Sequence, residues 1–87
     1  MAVKFVDLTG ITWGGEAEQD KLKELIESSI ENFIGMYSGI QPNLCRVPGD
    51  LYSQLSTEFT AYFHHRHGLK IEAGKHLKNR LLLMYDY

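Results

Sequence analysis

Two segments of the chain carry apolar residues at intervals of three and four, the spacing of a helix that packs on one side. The first covers residues 17–37 and places its acids opposite the apolar stripe. The second begins at Pro48, which suits the first helical position, and stops before Gly68, a residue type favoured just after a last turn. The apolar positions are Leu22, Leu25, Ile26, Ile30, Phe33, Ile34 and Tyr37 in the first helix, and Leu51, Tyr52, Leu55, Phe59, Tyr62 and Phe63 in the second.

Four shorter segments, residues 3–8, 44–47, 69–73 and 81–87, have the composition of strands. Val3, Phe5 and Leu8 carry the pattern of the first. The last two are predicted to pair as a hairpin around a turn at 73–75, although residues 76–82 would also fit a short helix. Residues 11–13 could add a short strand or an extended arm.

The element order is therefore β–α–β–α–β–β. Because both amphipathic helices need an apolar partner, the economical arrangement places them on one face of a small mixed sheet. The predicted fold class is α/β (α+β), a two-layer sandwich, and residues 1–87 form a single domain.

Composition excludes several classes of protein. The chain is 44% hydrophobic and 11% aromatic, which is too apolar for disorder. Its longest apolar run, residues 81–85, is far below the ~20 residues of a membrane span. A single cysteine excludes a disulfide scaffold. We expect a cytoplasmic protein that is not bound to a membrane and has no cofactor.

Charge is segregated along the chain. Residues 16–31 hold six acids against two lysines, whereas residues 64–80 hold five Lys and Arg residues against one acid. Such asymmetry either marks an interaction surface or covers a solvated face. If it marks a surface, the candidate residues are the basic set and the aromatics that could flank it: Trp13, Arg66, Lys70, Lys75, His76, Lys78, Arg80, Tyr85 and Tyr87.

The aromatic residues near the two ends of the chain have two interpretations. Trp13, between Thr12 and a Gly-Gly pair, either fills the core or is an exposed anchor for a partner, where Trp is overrepresented. The final aromatic strand, with Tyr85 and Tyr87, could offer an edge for pairing with another chain.

Three histidines, His64, His67 and His76, could form a metal- or pH-responsive site if they converged. On a helix, however, His64, His65 and His67 point in three directions. A polar helix end, favoured by the dipole when histidine is protonated, is the simpler interpretation. We predict no metal site.

No catalytic pattern is visible. Cys45 lies within an apolar strand and has no positioned base beside it, so we interpret it as a buried structural residue. The segment "GLKIEAGK" lacks the glycine spacing and the Ser or Thr of a phosphate-binding loop. We predict that the protein is not an enzyme.

One stretch, "PNLCRVPGDLYSQLSTEF" followed by "GLKI", resembles a run in phage and prophage virion proteins. In that run an apolar strand leads into a helix that begins with proline, and a short strand follows. The matching residues are Val47, Pro48, Tyr52, Leu55, Gly68 and Ile71. The resemblance implies a phage- or prophage-encoded protein and transfers no functional residues.

These observations favour a small non-enzymatic interaction module that associates with itself or with another protein. Pairing between the acidic stripe of the first helix and the basic segment would make a homodimer sensitive to salt. The alternative is binding of nucleic acid or a phosphate ligand through Lys70, Lys75, Lys78 and Arg80, although the sequence pI of about 6.0 disfavours it.

Overall fold

The structure, a computed structural model, describes residues 2–11 and 15–86. The elements in chain order are strand β1 (Ala2–Asp7), helix α1 (Glu16–Met36), strand β2 (Leu44–Pro48), helix α2 (Gly49–Tyr52), helix α3 (Thr57–His67), strand β3 (Lys70–Gly74) and strand β4 (Arg80–Tyr85). The predicted fold class and element order are confirmed.

The four strands form one mixed sheet in the order β1-β4-β2-β3. β4 is antiparallel to β1 and to β2, whereas β2 and β3 run parallel. The parallel pair requires a crossover, which α2 and α3 provide. β1 and β3 are therefore the two edges of the sheet.

The helices cover one face of this sheet. The core joins α1 and α3 to the strand residues that point the same way, including Cys45, Leu81 and Leu83, each with no exposed surface. The predicted apolar stripe of α1 is confirmed. Its fully buried members are Leu22, Ile26, Ile30 and Phe33, while Leu25, Ile34 and Tyr37 are partly buried against the core.

The second predicted helix is interrupted. Pro48 is the last residue of β2 and precedes α2, which lasts only four residues. The chain then turns through 53–56, and Ser56 starts α3 as its N-cap, with its hydroxyl accepting a hydrogen bond from the Phe59 amide at 3.1 Å. The apolar periodicity of the sequence continues across this break because Leu51 of α2 and Phe59 and Phe63 of α3 all pack in the same core.

The predicted end signal of the second helix is confirmed. Gly68 adopts the left-handed conformation with φ 61°, and its N–H donates to the His64 carbonyl. Gly39 also has a positive φ and follows α1. A side chain at either position would be strained, and this favours glycine.

The predicted terminal hairpin is wrong. β4 pairs with β1 and β2, so β2 lies between β3 and β4. The physical reason lies in β4 itself. Leu81, Leu83 and Met84 are all buried, which is the composition of a central strand and not of an edge. The alternative of a helix over 76–82 is also wrong, since residues 80–85 are extended.

The face of β1 also differs from the prediction. Ala2, Val6 and Leu8 point into the core, whereas Phe5 lies on the opposite side with 50% of its surface exposed. The large Phe5 side chain thus faces away from the helices, and the small Ala2 side chain faces them.

Because Ser56 begins α3, Ser56→Ala should lower the free energy of unfolding by about 1 kcal/mol through loss of the N-cap hydrogen bond. Denaturant unfolding measures this change. Ser28→Ala, on the exposed side of α1, is the matched control and should be neutral or slightly stabilising. Equal effects of the two substitutions would contradict a helix start at Ser56.

Candidate interaction surface

The sheet face opposite the helices carries a band of apolar side chains, which we call the open face. Strand register places Val3, Met84 and Leu44 in one row across it, and Phe5 and Leu82 in the next. No helix of the described residues packs on this side. Leu44 and Met84 lie outside the main core cluster, although both side chains are nearly buried. The open face is therefore an apolar surface separate from the core.

Charged residues border the open face. The Arg46 Nε atom lies 2.9 Å from the Glu72 carboxylate across the β2–β3 pair. At the other end, the guanidinium of Arg80 stacks over the Phe5 ring, 4.3 Å from its centroid. Lys78 and Asn79 line the same shallow concavity as Phe5 and Arg80. The exposed ring thus sits in a locally basic corner, with Asp7 as its nearest acid.

Asp7 is already engaged within its own turn. Its carboxylate accepts hydrogen bonds from the hydroxyl and the amide of Thr9, at 2.7 and 2.9 Å. These bonds lower the pKa of Asp7. The acid therefore stays ionised and holds the turn after β1, where Gly10 adopts a positive φ.

The predicted basic residues do not form one cluster. Lys70 lies at the start of β3, close in sequence to Arg66 at the end of α3, whereas Lys75, His76, Lys78 and Arg80 lie at the far end of that strand. Four residues of β3 lie between Lys70 and Lys75, and the strand spans about 13 Å from Lys70 to Gly74. All six side chains are exposed. Of these residues, the structure brings Lys78 and Arg80 together, at the open-face corner beside Phe5.

The loop of residues 75–79 is held in place at two points. The Leu77 side chain packs over Gly74, where an added Cβ would come within 2.5 Å of the Leu77 Cδ1 atom and 3.1 Å of the Arg46 Cβ atom. The Leu8 amide donates to the Asn79 carbonyl at 2.7 Å. Both His76 and Asn79 have a positive φ. These contacts fix the loop beside the basic corner.

The two edges of the sheet differ. At β1, the Tyr37 hydroxyl donates to the Val3 carbonyl and accepts from the Val3 amide. At β3, the backbone groups of Ile71 and Ala73 point away from β2, and no described strand lies on that side. β3 is therefore the edge with backbone groups open to pairing.

The helix layer contains a polar cluster between α1 and α3. The Glu27 carboxylate accepts a hydrogen bond from the Tyr62 hydroxyl at 2.8 Å and lies 3.1 Å from the His67 Nε2 atom. The Lys23 ammonium lies 3.7 Å from the centroid of the Tyr62 ring. Glu27, predicted as part of an acidic stripe in water, thus joins the two helices.

This cluster shifts two pKa values. Partial desolvation of Glu27 acts to raise its pKa, but the hydrogen bonds from Tyr62 and His67, with the charges of His67 and Lys23, outweigh it and lower the pKa. The same hydrogen bond to Glu27 raises the pKa of Tyr62. The ionised carboxylate is therefore the form that the folded protein favours.

The histidines are dispersed. His64 and His65 are exposed, His67 packs on Phe63 with ring centroids 5.7 Å apart, and His76 lies beyond β3. Among residues 2–11 and 15–86, no group of three histidine, cysteine or acidic side chains could hold a metal ion.

Cys45 has no exposed surface, and burial raises the pKa of its thiol to about 12. The interpretation of a buried structural cysteine is confirmed. A thiol with such a pKa supplies almost no thiolate at neutral pH.

Three aromatic candidates remain. Tyr85 is partly buried and packs against the core. Trp13 and Tyr87 lie outside the described residues, as does most of the predicted segment 11–13. Phe5 and Leu82 were missed as residues of the open face, although apolar residues on both faces of β1 and β4 were the signal for them.

Comparison of the chain with protein-family models, curated proteins and solved structures gave no match. The resemblance of residues 47–71 to virion proteins therefore stays a prediction. In the described part of the chain, no helix is long and apolar enough to cross a membrane.

The Glu27 cluster makes stability depend on pH. Because folding lowers the Glu27 pKa, its stabilising contribution is present above the unfolded pKa of about 4.3 and is lost as pH falls through the folded value. Glu27→Gln should lower the free energy of unfolding at pH 7 by about 0.2–1 kcal/mol, and should cost less at pH 3.

Denaturant unfolding at both pH values measures this difference. Glu31→Gln, at an exposed position on the same helix, is the control and should have little effect at either pH. A Glu27→Gln effect equal at pH 7 and pH 3 would contradict the assigned role of the carboxylate.

Proposed function

We propose that this protein is a small non-enzymatic protein-interaction module that associates with a second copy of itself. The observation that carries the proposal is that helices cover only one side of the sheet in the described residues. The other side presents the apolar open face, and β3 presents an open edge. A sheet with one face and one edge exposed has surface suited to another chain.

The energetics favour contact over exposure. Phe5 is half exposed at the β1 edge of the apolar band. Covering apolar surface stabilises an association by about 25 cal/mol per Å² before the losses of freedom are subtracted. Large exposed apolar side chains that are contiguous with others, rather than scattered, are typical of contact sites.

The distribution of charged residues supports a contact that includes ion pairs between the two copies. Exposed acids lie on α1, in the helix layer, whereas Lys75, Lys78 and Arg80 lie at one end of the sheet. Since opposite charges occupy different sides of the molecule, two copies can meet with complementary surfaces. We further propose a phage or prophage origin, on the resemblance of residues 47–71, and a cytoplasmic location.

The proposal predicts a homodimer whose dissociation constant rises with salt. Ionic screening shortens the range of charge interactions from about 10 Å at 0.1 M to about 3 Å at 1 M. Sedimentation velocity over a series of protein concentrations, at both salt levels, measures this change. A chain that stays monomeric at high protein concentration and low salt would contradict the proposal.

The second candidate function is binding of single-stranded nucleic acid at the basic corner. An exposed aromatic ring on an open sheet face, next to cationic side chains, is the arrangement on which bases stack. Phe5 provides the ring, and Lys78 and Arg80 provide contacts for phosphate. The nearby Asp7 carboxylate and the chain's formal net charge of −2 make this the weaker candidate.

This alternative predicts a salt-sensitive mobility shift of a single-stranded oligonucleotide. Lys78→Ala should weaken binding and reduce the slope of log affinity against log salt by about one, since each phosphate contact releases about one counterion. Lys21→Ala, at an exposed position on α1, is the matched control and should leave the shift unchanged. Absence of a shift at low salt would rule out this function.

A further inference from the structure

We infer that two copies of the chain pair through their β3 edges, antiparallel and centred on Ile71, so that the two four-stranded sheets become one. The inference rests on the proposed self-association and specifies its contact. Strand addition at a sheet edge is a common route to protein association because backbone hydrogen bonds supply the contact.

The backbone geometry identifies the groups that would pair. The Lys70 amide donates to the Asn43 carbonyl at 3.1 Å, on the β2 side. Since successive residues of a strand direct their backbone groups to opposite sides, Glu72 and Gly74 also face β2, and Ile71 and Ala73 face outward. An outward N–H and C=O on Ile71 can exchange two hydrogen bonds with Ile71 of a second copy.

The side chains select this register. Antiparallel pairing about a two-fold axis can centre on Ile71, on Glu72 or on Ala73. With Ile71 opposite Ile71, Lys70 of each copy faces Glu72 of the other, on the open-face side. Centring on Glu72 would oppose two carboxylates, and centring on Ala73 would oppose Glu72 to Gly74. Only the Ile71 register forms cross-strand pairs of opposite charge, and it forms two.

The β3 residues that would form this contact are accessible to a second copy. Lys70 and Ala73 are exposed, and Ala73 has too small a side chain to shield the edge. The Glu72 carboxylate, about one-third exposed, is already held by Arg46 at 2.9 Å. A second cation from the other copy would therefore meet an ordered carboxylate. At β1, by contrast, the Tyr37 hydroxyl occupies the backbone of Val3, so pairing there would have to displace it.

A pair of charge reversals tests the register. Lys70→Glu places carboxylates opposite each other in a homodimer, and Glu72→Lys places ammonium groups opposite each other. Each variant alone should dissociate at least about tenfold more readily than the unmodified chain. An equimolar mixture of the two should restore association, because the mixed dimer recovers opposite charges at both positions.

Glu58→Lys is the matched control, since it makes the same charge change as Glu72→Lys at an exposed position on α3, outside the paired residues. It should leave the dissociation constant within about threefold of the unmodified chain, in line with a surface charge outside the contact. Denaturant unfolding of each variant at concentrations that keep it monomeric verifies that the fold is intact.

Amide hydrogen exchange gives an independent readout. The Ile71 amide faces outward, so its exchange should slow as protein concentration rises through the dissociation constant. The Glu72 amide faces β2 and should be protected at every concentration. Exchange at Ile71 that does not respond to concentration, in a protein that dimerises, would overturn the inference.

The outcomes separate this inference from the proposed function. If no concentration-dependent association occurs, self-association itself fails. If the chain dimerises, but Lys70→Glu and Glu72→Lys have no effect while Phe5→Ser dissociates it, the copies meet at the open face. The proposed function then stands, and the β3 contact is wrong.

Discussion

The sheet depends on β4, because this strand alone connects its two halves. β1 pairs with β4 and not with β2, and the parallel β2–β3 pair contacts β1 only through β4. The core-facing residues of β4, Leu81 and Leu83, are fully buried beneath the helices, and Met84 is nearly buried on the other side. The same strand therefore supplies the centre of the core and the centre of the open face. A charged residue at either set of positions would disturb the core or the open face.

The two long helices are joined by both apolar and polar contacts. α1 and α3 meet through apolar packing, with Phe33 and Phe63 fully buried, and through the polar contacts of Glu27 with Tyr62 and His67. The polar contacts lie at the boundary with solvent and fix how the two helices sit against each other. Glu27 was predicted to lie in a solvated acidic stripe, and His67 in a cluster of histidines. Because these two residues contact each other between the helices, part of the charge segregation in the sequence has a structural role. Within the described residues, Arg80 at the basic end of the sheet stacks on the Phe5 ring, and Lys75 and Lys78 have no comparable polar contact.

The sequence allowed the helices to be predicted better than the sheet. The spacing of Leu22, Ile26 and Phe33 defines a buried helical stripe directly, and Gly68 marks a helix end by its conformational freedom. Pairing of strands is not local, so nothing in residues 69–87 could reveal that β2 separates β3 from β4. The helix start at Ser56 was missed because apolar periodicity continued through the break before it. The open face was missed because choosing Val3 and Phe5 as the inward side inverted β1.

The Tyr37 hydroxyl has a consequence for the size of any assembly. A sheet with two open edges can add copies at both ends and grow into a ribbon without limit. Here the phenol occupies the backbone of Val3 on one outer strand, so a further strand could pair along β1 only by displacing this hydroxyl. No such side-chain hydroxyl contacts the backbone of Ile71 or Ala73 in the described part of β3. The Tyr37 side chain thus makes the two edges unequal, and β3 is the side on which a larger sheet would form first.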